Sequence, residues 1–479
     1  LTSNIAALWT MSHEGEAVRE QLTALVARYA ESVRGDRCQI GDGASLRGCG
    51  ELRNVRIGPA AKLNGVARVE NCSLLSRNDG EVDIGDGVIL VDSIVHAGTS
   101  IVGAAQVSRC FVGQGVRIGD QFSAVDSLFF ANSEAFRGEA CSALVGPYSV
   151  SHHKATLMIA MQMSYFNAGA GTTQCNHAYK TGPVHYGVLE RGCKTGGSSS
   201  VCWPANVGAF SILLGMHRGE FDTRDFPFST VLEHEGSTRL IPAVNLLRIG
   251  PWRDVRKWHS RDRRPLVGRA DLLHHEALSP WTVQRMLRAR AVLQHLCSSC
   301  DGDQKWIEFA GVIIKPRDAK RGLEWYDRAI RRWLAEGVVE LLEKGRSLAE
   351  LCGDPTDISA TPDSWFDLGG LFVPERRLAT LVAQITNGKI DSVDSLSHEL
   401  TTIANAFDAD VAAWRLQVWR QEFGLVTDDA VADAVLATAQ AWVRVSEFFL
   451  QSALDDGMAD FDTAESWDAD RRPLQRLMS

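Results

Sequence analysis

The feature that most limits what this chain can fold into is an aliphatic residue returning every five or six positions. Ile40, Leu46, Leu52, Ile57, Leu63, Val69 and Leu74 form one run, and Val95, Ile101, Val107, Val112 and Ile118 form another. An amphipathic helix places apolar residues three and four apart, and a half-buried strand two apart. A step of six fits neither. It fits a coil of three short segments and about seventeen residues, each segment turning one aliphatic side chain inward and each corner made by Gly, Asn or Asp. Glycine follows the aliphatic residue at Ile40-Gly41, Ile57-Gly58, Ile84-Gly85, Val112-Gly113 and Ile118-Gly119. One coil cannot bury its own interior, so several must stack. The expected fold class is mainly β plus α.

Outside the repeat, the pattern turns helical. Glu16 to Val33 carries Val18, Leu22, Leu25, Val26 and Tyr29 on one stripe. Beyond residue 270 come SPWTVQRMLRARAVLQHL, GLEWYDRAIRRWLAEGVVELLEK and AVADAVLATAQAWVRVSEFFL, the first opened by Ser279 as N-cap and Pro280 at the first helical position. The expected division is a helical segment over 1–36, the repeat domain over 37–250, a basic connector and helix over 251–300, and an all-helical domain over 301–479. Tryptophans 325, 333, 365, 414, 419 and 442 are expected in the helical core.

Charge and cysteines exclude several classes. A net charge of −9 over 479 residues argues against a nucleic-acid binder. No apolar run reaches 18 residues, so no membrane-spanning helix is expected. The first residues lack a basic region followed by an apolar one, so they do not read as a secretory signal. Leu1 stands where an initiator methionine is expected, which suggests processing or truncation upstream. The eleven cysteines are mostly solitary; Cys38, Cys49, Cys72 and Cys110 read as small hydrophobes. Cys297 and Cys300 form a CxxC with no second pair at zinc spacing. A reducing cytoplasm is the expected compartment. Residues 248–290 hold eleven Lys/Arg against four Asp/Glu, and residues 401–479 hold six against fourteen.

The rhythm breaks at HHKATLMIAMQMSYFNAGAGTTQCNHAYK, from His152 to Lys180. The repeat resembles the hexapeptide repeat of left-handed parallel β-helices, a fold used by a large group of trimeric acyltransferases with active sites between neighbouring coils. The broken stretch resembles most the acetyltransferase domain of the bifunctional N-acetylglucosamine-1-phosphate uridyltransferase/glucosamine-1-phosphate acetyltransferase family. That family has a catalytic His followed fourteen residues later by Asn-x-Gly-Ala-Gly-Thr-x-x-Cys-Asn-Tyr. Here His153 precedes Asn167 by fourteen, and Asn167, Gly169, Ala170, Gly171, Thr172, Cys175 and Asn176 stand at the matching positions, with Lys180 after them.

The resemblance implies His153 as general base, Asn167 and Asn176 as acceptor contacts, and the backbone N–H of Ala170 as donor to the acyl carbonyl. It also implies Ser198, in GSSSVCWPANVG, on the acetyl-CoA side. His177, Lys180 and His185 join the expected acceptor-binding set, and Arg253 and Arg256 are the candidates for the coenzyme A phosphates. The expected co-substrate is acetyl-CoA or another short acyl-CoA, the partner a small polar acceptor, and the assembly a homotrimer, with no metal, nucleic acid or membrane involved.

The chemistry needs these groups. A thioester is attacked by a deprotonated amine or hydroxyl, so a base that titrates near neutrality must take the proton. The oxyanion then needs fixed donors, and a Gly-Ala-Gly backbone can approach closely.

The sequence departs from the family at Thr156 and His177, where tyrosines are expected. Only Arg137 and Lys154 are near the places of its phosphate-binding cations, and its uridyltransferase domain is missing. Glucosamine-1-phosphate is therefore not the expected acceptor. The whole chain also resembles a bacterial family that joins such a β-helix to a helical C-terminal domain, through SHHKATL, NHAYKTGPVHYG, LERGCKTG and WFDLGGL; this bears on architecture alone.

Two other readings stand beside the acyltransferase. His153, His177 and His185 could bind a metal in the manner of γ-class carbonic anhydrases, or the trimer could be a scaffold. GVLERGCKT nearly spells a phosphate-binding loop, but Cys193 interrupts it and no strand-to-helix context surrounds it.

Overall fold

The computed structural model describes residues 1–11, 15–153, 156–176, 185–300, 304–345 and 362–423, with short pieces between 433 and 456. Its largest part is a parallel β-solenoid of about eleven turns. Three faces recur in each turn. The first face starts at Ser45–Arg47, and the long strands Glu51–Ile57 and Arg68–Leu75 run through the second and third faces of their turns. Register gives the coil length directly: Ile40 pairs with Ile57, Ile57 with Leu74, and Phe111 with Leu128.

The inward aliphatic residues are the repeat residues of the sequence. Ile57, Leu63, Val69, Leu74, Val95, Ile101, Val107, Val112 and Ile118 are all at most 2% exposed. Ile40 belongs to the same series yet is 60% exposed, because it sits on the first coil, where only one side has a neighbour. Glycine after the aliphatic residue is required by the stacking: a Cβ on Gly58 would lie 2.4 Å from the Ser76 carbonyl oxygen of the next coil. The corner between the second and third faces is left-handed at Asn54, Asn71 and Asp92. Their side chains form a ladder, with the amides of Asn54 and Asn71 each donating at 2.9 Å to the residue one coil on. Short polar side chains tolerate this conformation and bond locally, which is why they occupy the corner.

Two insertions lengthen the coils. Ser73 pairs with Ile94, twenty-one residues on, and Gln162 pairs with Val188, twenty-six on. The second insertion carries residues 177–184, which lie outside the described residues.

The far end of the solenoid is closed by strands. Thr230–His234 turns back antiparallel onto Ser237–Ile241, which pairs in turn with Val312–Ile314 of a hairpin with Ile307–Phe309. This covers an edge that would otherwise offer unpaired backbone groups. A second hairpin joins Trp365–Leu368 to Leu371–Pro374. The C-terminal region is therefore not all-helical: strand pairs serve where the solenoid must be capped and clasped.

The described helices are α1 (Ser3–Met11), α2 (Glu16–Ser32), α3 (Ile249–Ser260), α4 (Pro280–Ser298), α5 (Pro316–Glu343), α6 (Glu375–Thr386), α7 (Val393–Asn405) and α8 (Phe407–Phe423). Helix α4 opens on a capping box between Ser279 and Thr282 with Pro280 at its start. In α2, Val18, Leu22 and Leu25 are buried, whereas Val26 and Tyr29 are about half exposed, so the apolar stripe is narrower than the sequence suggests.

That stripe packs in a second core with Leu368, Leu371 and Val373 of the hairpin and with Leu381, Leu396 and Leu400 of α6 and α7. The N-terminal helices thus share a core with the C-terminal region instead of forming a separate segment. Trp333, Trp365, Trp414 and Trp419 are buried in the main core. Trp325 is packed against that core, and Trp442 lies outside the described residues. Among the described residues, no helix is long and apolar enough to cross a membrane.

Candidate functional site

The corner between the first and second faces gathers several residues singled out in the sequence. Val150–Ser151, Asn167–Ala168 and Lys194–Thr195 are first-face strands of successive coils, with Ser151 paired to Ala168. The residues that follow each strand are His152–His153, Gly169–Ala170–Gly171 and Gly196–Gly197–Ser198. His153, Ala170 and Ser198 therefore stand along one edge of the solenoid, and all three are exposed. The Ser198 backbone N–H donates to the Ala170 carbonyl at 2.6 Å.

Gly169 is fixed by packing, since a Cβ there would lie 2.5 Å from the Thr195 and Gly196 carbonyl oxygens. Its own N–H donates to Thr195 Oγ1 at 3.0 Å. Gly171 and Ser198 both adopt left-handed backbone, and the Ser198 hydroxyl faces Gly171. Small residues keep this edge low beside the two imidazoles.

His152, next to the residue that the spacing selects, has an orienting carboxylate. Its Nε2 lies 2.5 Å from Glu134 Oε2, and Glu134 Oε1 accepts from Arg263 at 2.6 Å. Arg263 is anchored in turn by the carbonyls of Gly115 and Asn132. Burial acts to raise the Glu134 carboxyl, but the His152 hydrogen bond and the charges of Arg263 and Arg117 outweigh it and hold the group below its ordinary value. An ionised carboxylate only accepts, so Nε2 carries the proton and Nδ1 of a neutral His152 holds the lone pair. Strand alternation was the available signal: Ser151 is buried, so His152 turns outward beside Glu134.

Helix α3 lies across the first face. Asp254 pairs with Lys194 at 2.5 Å, so Lys194 is engaged there. Trp258 packs against Tyr165 at 4.4 Å between ring centroids. A narrow space of about 40 Å³ remains between α3 and the face, lined by Glu134, Asn167, Lys257 and Arg263 among others. Arg253 and Arg256 are exposed on α3, while Asp254 and Trp258 face the solenoid. Burial lowers the Lys257 ammonium, helped by the nearby charges of Arg253, Arg261 and Lys194.

The remaining expected site residues fall elsewhere. Asn176 and His185 flank the insertion at the corner between the second and third faces, where the His185 N–H donates to the Asn176 carbonyl at 3.0 Å. His177 and Lys180 lie outside the described residues. Within one chain, His153 and His185 are on different edges, and no group of three metal-ligating side chains occurs among the described residues.

A protein of Treponema pallidum (strain Nichols) described as "Uncharacterized protein" is 22% identical over 453 residues, covering 85% of this chain and 60% of its own length. The chain thus spans about three-fifths of the relative that it matches. Residues 353–467 match the family model described as Domain of unknown function (DUF6819). Residues 1–297, which include the solenoid and both ends of α1 and α3, match a second model, and the chain belongs to that family, described as Domain of unknown function (DUF4954).

Proposed function

We propose that this protein is an acyl-CoA-dependent acyltransferase, acting at the edge that bears His152–His153, Ala170 and Ser198. The observation that carries the reading is the succession of these three groups on neighbouring coils of one edge, with small residues at the corners beside the exposed His153. In this reading His153 takes the proton of an amine or hydroxyl acceptor. The developing oxyanion meets the Ala170 backbone N–H, a kind of donor worth about 3 kcal/mol of barrier. Collapse of the tetrahedral intermediate breaks the C–S bond and releases coenzyme A as the thiolate, which is protonated by the imidazolium. His152, fixed by Glu134 and Arg263, positions its neighbour and excludes other rotamers. Asn167, exposed on the adjoining face, contacts the acceptor in this reading. The acceptor is a small polar molecule, and a homotrimer would bring the Asn176–His185 edge of one copy toward the His153 edge of another.

The test is a calorimetric and thermal-shift panel of acetyl-, propionyl- and succinyl-CoA with the full chain. Binding at a hundred times the dissociation constant is expected to stabilise the fold by about 2.7 kcal/mol. Absence of binding by every member overturns the reading. Stoichiometric zinc found by metal analysis together with that absence would favour the metalloenzyme alternative.

A further inference from the structure

A large cavity lies on the opposite side of the solenoid from this edge, between the third face and the C-terminal region. It encloses about 690 Å³. Its floor is formed by Leu144, Gln162, Val188 and Asn206, the outward residues of four successive coils in register. Helix α4 supplies one wall and the segment 364–369 of the clasping hairpin another. The space is therefore bounded by the two regions that separate family models match. Interdomain clefts of this size are where small ligands are most often held.

The wall is unevenly charged. The Arg191–Asp367 pair is closed upon itself, and of the remaining charged groups Arg224, Arg285, Arg288 and Glu190 line the cavity, while Asp222 and Asp225, which pair with those arginines, stand behind the lining. Arg285 is held over the Trp281 ring at 5.1 Å and reaches Glu190 at 2.8 Å. Asp225 lies 3.4 Å from Arg285 and 3.6 Å from Arg288, which brings these two guanidinium groups side by side. Arg224 pairs with Asp222.

Glu190 is the informative member. Its side chain is only 9% exposed, yet Oε2 has no hydrogen-bond partner, and neither does Nε of Arg285. Native proteins rarely leave buried polar atoms unsatisfied, and two on paired residues of one cavity lining point to something that completes them. A ligand with an acidic group for the arginines and a donor for Glu190 would do so.

We propose that this cleft binds a small organic phosphate whose carbon portion carries a hydroxyl or amine, with Arg224, Arg285 and Arg288 on the phosphate and Glu190 on the donor. A phosphate dianion suits several converging guanidinium groups better than a single carboxylate does. The site is distinct from the acyl-transfer edge and does not rest on that reading.

The experiment is calorimetry of the full chain with inorganic phosphate, glucosamine 6-phosphate, ribose 5-phosphate, AMP and, as a carboxylate control, gluconate. At least one organic phosphate is expected to bind more tightly than inorganic phosphate and gluconate. Arg288→Ala, at a half-exposed position, is expected to weaken it about tenfold. Glu190→Gln should weaken the organic phosphate while leaving inorganic phosphate unchanged. No binding by any phosphate, preference for gluconate, or binding that both variants leave intact would overturn the proposal. Acyl-CoA binding measured in the same variants should be unaffected, which separates the two sites.

Discussion

At the scale of single residues, two histidines side by side have different surroundings. His152 is bonded to Glu134, and His153 follows it on the same exposed edge as Ala170. His153→Ala is therefore expected to keep the fold and acyl-CoA affinity while lowering turnover by roughly 10²–10⁴-fold. His152→Ala should cost much less, through positioning. Steady-state kinetics with the acceptor decides; equal losses would mean that the pair acts as one unit, and a full-rate His153 variant would remove the base.

Glu190 supplies a pH test. Burial pushes its carboxyl from 4.5 up to about 7, against the opposing charges of Arg285 and Arg224 and with Asp367 and Asp222 adding to the rise. A carboxyl with a higher pKa when folded takes up a proton on folding. Its stabilising contribution is full below about 4.5 and is lost as the pH rises through about 7. The amount is on the order of 3 kcal/mol. Denaturant titrations at pH 5 and pH 8 should show this fall in the parent, and Glu190→Gln should flatten it.

At the scale of elements, the hairpin Trp365–Pro374 is the clasp that locks the C-terminal region to the solenoid. Arg191 leaves the third face fully buried and meets both oxygens of Asp367, at 2.9 and 3.2 Å. It also donates to the carbonyls of His274 and Gly370, and its guanidinium lies over the rings of Tyr165 and Phe372 at 4.5 and 4.1 Å. All five donors of a guanidinium cannot be stripped of partners cheaply in such a place. Asp367→Ala is expected to destabilise by about 3–5 kcal/mol, because it leaves the charge buried without its counter-ion. The double variant Arg191→Met, Asp367→Leu should recover most of that loss. Equilibrium unfolding of both variants checks the pair, and equal stability of Asp367→Ala and the parent would show that the clasp is held by packing alone.

For the whole molecule, shape and assembly are linked. The acyl-transfer reading places His153 and the Asn176–His185 pair on different edges, so one chain cannot bring them together. A homotrimer at micromolar concentration is the expected outcome of multi-angle light scattering. A stable monomer would confine the acceptor site to the His153 edge and its own first face.

How much of this the sequence carries depends on the range of the forces involved. The solenoid is legible because each coil meets its neighbour seventeen residues on, so inward aliphatic residues and close-approach glycines such as Gly58 must recur locally. The cap of α4 at Ser279 is local too. The clasp is not legible in this way, because Arg191 and Asp367 are 176 residues apart, and although each stands in a motif, LERGCKTG and WFDLGGL, no local spacing pairs the two. The same holds for the shared core of α2 with α6 and α7, and for the strands that close the solenoid's end. Local spacing decided the repeat, its corners and the succession of His153, Ala170 and Ser198 along one edge. Only tertiary packing decided that His152 has a carboxylate, that Lys194 is engaged by Asp254, and that a buried Glu190 meets Arg285 in the lining of a cleft, since burial and pairing of charge depend on chain segments that the sequence does not place side by side.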